Sequence, residues 1–510
     1  MTLQDDVFAF LERPQAHGGH AVRRIDTHGA AVFLAGDRVL KVKRAVRFPF
    51  LDYSTLEKRK AACEAEIEAN RGFAPAIYRG VVAITRQADG ALAIGGDGEP
   101  AEYAVDMQRF DEEQTLDHIA DRGGIDDALA DALGRVVAEG HASAPPVAAE
   151  PWIDALDAYI GQNDEACRAW PDLFSPGDVD ALTRASRAAF AEVRPLLSAR
   201  GKNGLVRRGH GDLHLGNIAL VDGRPMLFDA IEFDPLVAAG DVLYDLAFLL
   251  MDLIERDLAG PANIVFNRYL VTAGRADDLD ALAALPLFLS VRAAIRAKVT
   301  AARLDNPKTD RKAVETSARA YFELALRLIA PPAPMLVAVG GLSGTGKSVL
   351  ARGLASHLAP APGAVVLRSD IERKRLAGVS ETEKLPPESY TPESSRRVYA
   401  ALEAQAARVL AAGHSAIIDA VFADPAERAD AAAVAARAGR PFHGLFLTAD
   451  LATRIERVGA RVGDASDADD KVVRHQAGYD LGRLDWKEVD ASGTPDDTLA
   501  HAKRAMALPD

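Results

Sequence analysis

The chain has 510 residues, 48% hydrophobic and 26% charged, which points to a globular protein of two to four domains and excludes a disordered or fibrous one. Net charge is −14 and unevenly spread: residues 335–510 carry 22 Lys+Arg against 24 Asp+Glu, whereas 1–334 carry 38 against 50, a balance that disfavours nucleic acid and suits a cationic acceptor. The two cysteines, Cys63 and Cys167, form no CxxC pair, the N-terminus MTLQDDVFAFLERPQ is acidic, and the apolar run DLAFLLMDLI is short and charged, so a disulfide framework, zinc knuckle, signal peptide and membrane span are not expected and a cytoplasmic protein is.

From about 20 to 110 the pattern is short β-rich runs: AVRRI, AVFLA, RVLKVKR, IYRGVVAI, ALAI and EYAVDMQRF. Alternation puts Lys41 and Lys43 of RVLKVKR on one face of their strand. One helix interrupts the series, YSTLEKRKAACEAEIEANRG, carrying Glu64 and Glu66 and ending at a glycine. The stretch ADGALAIGGDGEPAEY (88–103) reads as a hairpin turning at its glycines. From about 111 to 330 long Ala/Leu-rich helical stretches dominate, with a β-like insertion at 205–233. A β-rich lobe followed by a helical one is the outline of a kinase-like fold.

Inside that insertion lies HGDLHLGN, with the spacing His210-x-Asp212-x₄-Asn217 of a kinase catalytic loop. That chemistry needs an Asp to take the proton of an acceptor hydroxyl and an Asn five residues on to reach Mg²⁺. A second metal ligand should follow on a nearby strand. Asp229 ends the apolar run PMLF, and the turn VDGRP lies between it and Asn217. HGDLHLGN followed by an isolated Asp resembles the aminoglycoside phosphotransferase/choline kinase branch of the kinase-like fold, in which no Phe-Gly pair follows the Asp; here Asp229 is followed by Ala230-Ile231. The resemblance implies an ATP-anchoring lysine, for which Lys41 is the first choice, and a carboxylate partner on the next helix, Glu66 with Glu64 in reserve. It implies a nucleotide hinge near Met107–Phe110 and an Asp, Asp245, that buttresses the catalytic loop. His214 reads as support. The chain departs from protein kinases in THGAAV, which has one glycine where they have three, and in the long interval between Lys41 and Glu66.

The Pro-rich IAPPAPM (329–335) marks the boundary between two expected domains, 1–330 and 336–510. Beyond it strands and helices alternate: LVAVGG, a helix at 347–359, AVVLRSD, a helix near 393–412, SAIIDAVF, a helix at 425–438, FHGLFLTA and a helix at 450–461. Such alternation predicts a parallel sheet with helices on both faces. GLSGTGKS fits G-x₄-G-K-[ST] between a strand and a helix, so backbone N–H groups freed by Gly341, Gly344 and Gly346 would close on phosphate. Lys347 would reach the β/γ-phosphates and Ser348 would ligate Mg²⁺.

Asp370, at the end of AVVLRSD and followed by Arg373, resembles the acceptor base of small P-loop kinases of the polynucleotide kinase, zeta-toxin and gluconate kinase types. Ser369-Asp370 also suits a helix cap, and the two readings are compatible. In SAIIDAVF (415–422) the β-branched apolar run ends in Asp419, at a Walker-B-like position that would steer the Mg²⁺ shell. Arg454, Arg457 and Arg461 fall at i, i+3, i+7 of one helix face, opposite Leu451, Ile455 and Val458, where lid arginines would stabilise a transferring phosphate.

Nearly the full chain resembles the bifunctional aminoglycoside phosphotransferase/ATP-binding protein family, including FLDYSTLEKRK and RVGDASDAD, to which no role attaches. The expectation is an α+β kinase-like two-lobe domain followed by an α/β P-loop NTPase domain with a parallel sheet. Its function would be ATP- and Mg²⁺-dependent phosphorylation of a hydroxyl on a small molecule such as a sugar, amino sugar or aminoglycoside. The alternatives are a non-catalytic nucleotide-sensing domain, or a polynucleotide or toxin-like kinase; no nucleic acid or membrane partner is expected.

Overall fold

A computed structural model describes residues 3–48, 51–460 and 463–508. These fall into two compact units, one made of the chain up to Tyr159 with Arg194–Asp252, the other of Ile160–Val193 with the chain from Leu253. Among the described residues no helix is long and apolar enough to cross a membrane.

The first unit is built on a six-stranded antiparallel sheet: β1 (Val22–Asp26), β2 (Ala30–Ala35), β3 (Arg38–Lys43), β4 (Tyr78–Arg86), β5 (Leu92–Ile94) and β6 (Glu99–Gln108), in the order β1-β2-β3-β6-β4-β5. All six β-rich runs form strands. The glycine-rich stretch 88–103 is not a hairpin of its own, however. ALAI and EYAV flank β4 on opposite sides, Ile84 pairing with Ile94 and with Glu102, because the turn falls earlier, around Gly90.

Helix α1 (Leu56–Arg71) crosses the sheet, its first turn capped by Thr55, whose hydroxyl accepts from Lys58 N. Its buried stripe is Arg59, Cys63, Glu66, Ile67 and Asn70, a helical period in which three members are polar. Each has a partner there, as burial requires. One apolar cluster on the sheet gathers Leu34, Val39, Cys63, Ile67, Val105 and Met107.

Past the helices that follow, β7 (Ile218–Val221) and β8 (Arg224–Leu227) form a two-residue hairpin through Asp222 and Gly223, both at positive φ. Asp-Gly is the pair that a tight hairpin turn of this hand favours. Helix α2 (Val242–Glu255) is apolar on nearly every side, yet carries Asp245 and Asp252 inward.

In the second unit β9 (Leu336–Gly341), β10 (Val365–Arg368), β11 (Ala416–Asp419), β12 (Phe442–Thr448) and β13 (Lys487–Asp490) form an all-parallel sheet in the order β10-β11-β9-β12-β13. Strand β13 has no counterpart among the sequence expectations. It is an edge strand with a single buried residue, Val489, and so shows no periodic apolar pattern. The opposite edge, β10, is covered by helix α3 (Ala259–Ala273): Asn267 Oδ1 accepts from Val366 N at 2.7 Å, while Asn263 and Asn267 donate to the Ala364 carbonyl at 3.1 Å. These side chains stand where a neighbouring strand would bond. Residues from Leu253 to the Pro-rich connector thus pack in the same unit as the P-loop sheet.

Candidate functional sites

In the first unit the hairpin β7–β8 determines what meets what. Phe228 N donates to the Asn217 carbonyl at 2.9 Å, just beyond the Ile218–Leu227 pair, so Asn217 and Asp229 lie at the open end of one hairpin. The Asn217 amide donates to the Asp212 carboxylate at 3.1 Å and to its carbonyl at 3.0 Å, fixing the two residues to each other. Asp229 has φ +62, a conformation a non-glycine residue adopts only when its surroundings hold it there. They do: Tyr78 hydroxyl accepts from Asp229 N at 3.0 Å, and Asn70 Oδ1 from Ala230 N at 2.8 Å.

Lys41 Nζ lies 2.9 Å from Glu66 Oε1 and 2.7 Å from Asp229 Oδ1. Lys41 holds the Asp229 carboxyl down to about 2. Burial works against the charge on both Lys41 and Glu66, yet the lysine is raised by Asp229 and Glu66, and the Glu66 carboxyl is lowered by Lys41 and Lys43. Glu64, the reserve choice, sits exposed 3.8 Å from Lys60 and takes no part. Met107, next to last in β6, has its side chain in the apolar cluster, and the backbone beyond it, where a nucleotide hinge is expected, is anchored by Gln108 N to the Ile77 carbonyl and Arg109 N to that of Asp37.

Beneath the loop, Asp245 accepts from His210 N at 2.8 Å and Gly211 N at 3.0 Å, and pairs with His141 Nε2 at 3.1 Å. Asp252 accepts from Leu215 N at 2.9 Å. His210 Nε2 reaches the Phe228 carbonyl at 2.9 Å, tying the loop to the segment that leads from β8 to Asp229; burial lowers its imidazole. His214 caps the turn Leu215–Asn217 by accepting from Gly216 N.

In the second unit the P-loop leaves β9 and enters helix α4 (Lys347–Ala355). Gly341, Gly344 and Gly346 all have positive φ, and a Cβ on Gly344 would stand 2.4 Å from the Arg454 carbonyl. Register places Asp419 beside Val339 of β9 and Arg368 of β10, at the carboxyl ends of the strands, where open α/β sheets bind ligands. Ser348 Oγ donates to Asp419 Oδ2 at 2.5 Å, and Arg368 Nε lies 3.4 Å from the same oxygen. Lys347 Nζ donates back to the Leu342 carbonyl at 3.3 Å.

Asp370 stands in the first turn of helix α5 (Ser369–Ala377). The helix has no side-chain cap bond, so the capping reading of Ser369-Asp370 does not hold: both residues lie inside the helix, past its start. Burial raises the Asp370 carboxyl, nearby Asp419 adds to this, and Arg368 and Lys347 oppose it. Arg373 stacks on Tyr390, 4.9 Å from the ring centre, and donates to the Ser389 carbonyl. These groups and the P-loop line one cleft of about 1250 Å³, with Arg457, Asp464 and Asp467 on its wall.

The arginine face of helix α6 (Leu451–Gly459) differs from expectation. Arg454 is buried with its guanidinium on the Ser343 carbonyl of the P-loop, and Leu451, expected on the opposite, apolar face, is exposed. Backbone carbonyls at 343 and 473 give the arginine a reason to be inside that hydropathy does not register. Arg457 donates to the carbonyls of Ala491 and Gly493. Arg461 lies outside the described residues.

Sequence reasoning passed over Lys43 in favour of Lys41, and several residues escaped it altogether: Glu232, Asn70 and Tyr78 around Asp229, Asp252 under the loop, and Arg368, Asp464, Asp467 and Gln476 around the P-loop. Gln476 Oε1 accepts from Ser343 N at 2.7 Å, and Asp467 accepts from Lys374, Leu385 N and the Tyr390 hydroxyl. For Asp464 and Asp467 the signal was the clustering of acids in RVGDASDAD.

Two family models match the chain: the phosphotransferase enzyme family over residues 30–285 and the AAA domain over 336–479. An uncharacterized protein of Mycobacterium bovis is 30% identical over 489 residues, 94% of each chain. Among solved structures, a choline/ethanolamine kinase family protein from Mesorhizobium loti is similar at 17% identity and TM-score 0.38, covering 64% of this chain and 95% of that one. A gluconokinase from Sinorhizobium meliloti is similar at 19% identity and TM-score 0.26, covering 34% and 92%. The chain belongs to the phosphotransferase enzyme family and carries, after that domain, an AAA-type P-loop kinase domain.

Proposed function

We propose that the protein is an ATP- and Mg²⁺-dependent kinase for hydroxyls of small molecules such as sugars, amino sugars or aminoglycoside-like acceptors, with a phosphotransferase domain at 1–330 and a P-loop kinase domain at 336–510. The observation that carries this is the convergence of Lys41, Glu66 and Asp229 beside an Asp212 bonded to Asn217. In this reading Asp212 takes the acceptor's proton and Lys41, oriented by Glu66, meets the α/β-phosphates. Asn217 spends its amide N–H on Asp212, which leaves its oxygen and the Asp229 carboxylate as hard donors suited to Mg²⁺. A Mg²⁺ held by these two residues would supply positive charge to offset that developing on the transferred group.

In the second domain Lys347 and the P-loop amides hold phosphate, and Ser348 and Asp419 form the oxygen set for a second Mg²⁺. Asp370 serves as base, with Arg373 and the lid arginines Arg457 and Arg461 offsetting charge on the transferred group. The test is an ATP-consumption screen of the full-length protein against sugars, amino sugars, aminoglycosides and nucleosides, repeated with Asp212→Ala and Lys347→Ala. Loss of turnover in Asp212→Ala supports transfer by the first domain. Turnover that survives Asp212→Ala and disappears in Lys347→Ala makes the first domain a sensor.

A further inference from the structure

Lys43 stands two positions beyond Lys41 on the same face of β3 and is 3% exposed. Its Nζ lies 2.5 Å from Glu66 Oε2 and 2.5 Å from Glu232 Oε1. Glu66, fully buried, therefore has one carboxylate oxygen on each lysine. Glu232 follows Asp229 by three residues, so the pairs form a ring: Asp229, Lys41, Glu66, Lys43, Glu232, and back along the chain. Tyr53, from the stretch FLDYSTLEKRK, closes the outside, its hydroxyl donating to Glu232 Oε1 at 3.3 Å and its ring lying 5.5 Å from the Lys43 ammonium. Arg59, one turn into α1, holds the Tyr53 carbonyl at 3.0 Å and pairs with Glu102.

The ring resolves a conflict at Lys41. That lysine bonds Asp229, the carboxylate assigned to the metal, and it is also the group assigned to the nucleotide phosphates. It must leave Asp229 when the nucleotide arrives, and a lone Lys–Glu pair would then ask one ammonium to serve both a buried carboxylate and a phosphate. A buried carboxylate deprived of its counter-charge is strongly disfavoured.

We propose that Lys43 is a positioning residue for nucleotide binding: it keeps Glu66 paired and, through Glu232, holds the segment after Asp229, so that Lys41 is free to exchange Asp229 for phosphate. This rests on reading the first unit as a MgATP site. Burial opposes the charge on Lys43, but Glu66 and Glu232 raise its ammonium above the ordinary lysine value, so it remains a cation throughout.

The test uses the full-length chain carrying Lys347→Ala, which silences the P-loop, titrated with a fluorescent N-methylanthraniloyl-ATP at low and at saturating Mg²⁺. Lys43→Met is expected to weaken binding by about tenfold or more and to flatten its Mg²⁺ dependence, as loss of a charge-assisted contact does. Lys43→Arg is expected to restore most of both, and Glu232→Gln to shift them the same way as Lys43→Met by a smaller factor. Thermal midpoints without nucleotide show which variants are folded. If Lys43→Met does not fold, Glu232→Gln decides. A folded Lys43→Met or Glu232→Gln that binds with unchanged affinity and unchanged Mg²⁺ dependence overturns the proposal. If the Lys347→Ala parent shows no Mg²⁺-dependent binding at all, the first-unit nucleotide site itself is refuted, and this role with it.

Discussion

The carboxylate of Asp245 accepts the backbone N–H of His210 at 2.8 Å, from beneath a loop that the His210 imidazole ties to the Phe228 carbonyl, next to Asp229. A second oxygen takes Gly211 N, and a Cβ on Gly209 would stand 2.6 Å from the same carboxylate. The loop is thus held by its backbone, which suits the roles proposed for the side chains of Asp212 and Asn217. Asp245→Ala would leave buried donors unmatched and cost about 3 kcal/mol. The urea midpoint is expected to fall, and Asp212-dependent turnover with it, while Lys347-dependent nucleotide binding persists.

The choice between Glu66 and Glu64 has a direct test. Glu66 is wholly buried between Lys41 and Lys43, whereas Glu64 is exposed beside Lys60. Glu66→Gln is expected to reduce first-domain turnover at least about tenfold, because removing one member of a buried pair strands the others. Glu64→Gln is expected to change turnover less than about twofold, the usual size of an exposed pair. Steady-state rates at varied ATP distinguish them.

Gly344 has φ +87 and no room for a side chain against the Arg454 backbone. Gly344→Ala should therefore move the P-loop or helix α6, at a cost of about 1–3 kcal/mol from backbone strain alone. Isothermal titration with ATP is expected to lose the same binding event that Lys347→Ala removes. Retention of that event would show that the loop accommodates a methyl group.

Asp370 has its carboxyl raised by burial and by Asp419. For an acid with a raised folded value, the native state holds its proton longer than the unfolded one, so this group's contribution to stability decreases as pH rises through that value. Asp370→Asn is expected to raise the thermal midpoint at pH about 8 more than at pH about 5, while abolishing transfer by the P-loop domain. In the wild type, P-loop-dependent turnover is expected to fall on acidification at a pH above the ordinary aspartate value, since the base must be ionised.

Asn267 supplies the acceptor for Val366 N at the edge of the parallel sheet. Asn267→Leu leaves that N–H and the Ala364 carbonyl without this partner, at about 1–3 kcal/mol. A fragment beginning at residue 331 would bare the whole β10 edge and is expected to aggregate, which light scattering of the purified fragment measures.

Motifs whose chemistry depends on neighbours in the chain were readable from the letters. HGDLHLGN, the Asp-Gly turn before Asp229 and GLSGTGKS between an apolar strand and a helix are of this kind, because a turn or a loop confines their groups within a few residues. Six β-rich runs and the β-α alternation after 335 were readable too, since burial on one or both faces writes a period into the sequence. What tertiary structure decided was every pairing across long separations of buried polar groups. Lys43 looked like a neighbour of Lys41 until Glu232 met it from 189 residues away. Arg454 looked like a lid residue, and is packed beneath the P-loop because carbonyls from two other segments satisfy it there. Helix α1 buries Arg59, Glu66 and Asn70, and α3 completes a sheet edge with asparagines. Hydropathy assigns such residues to solvent; only the fold brings together the partners that make burial of a charge or an amide tolerable.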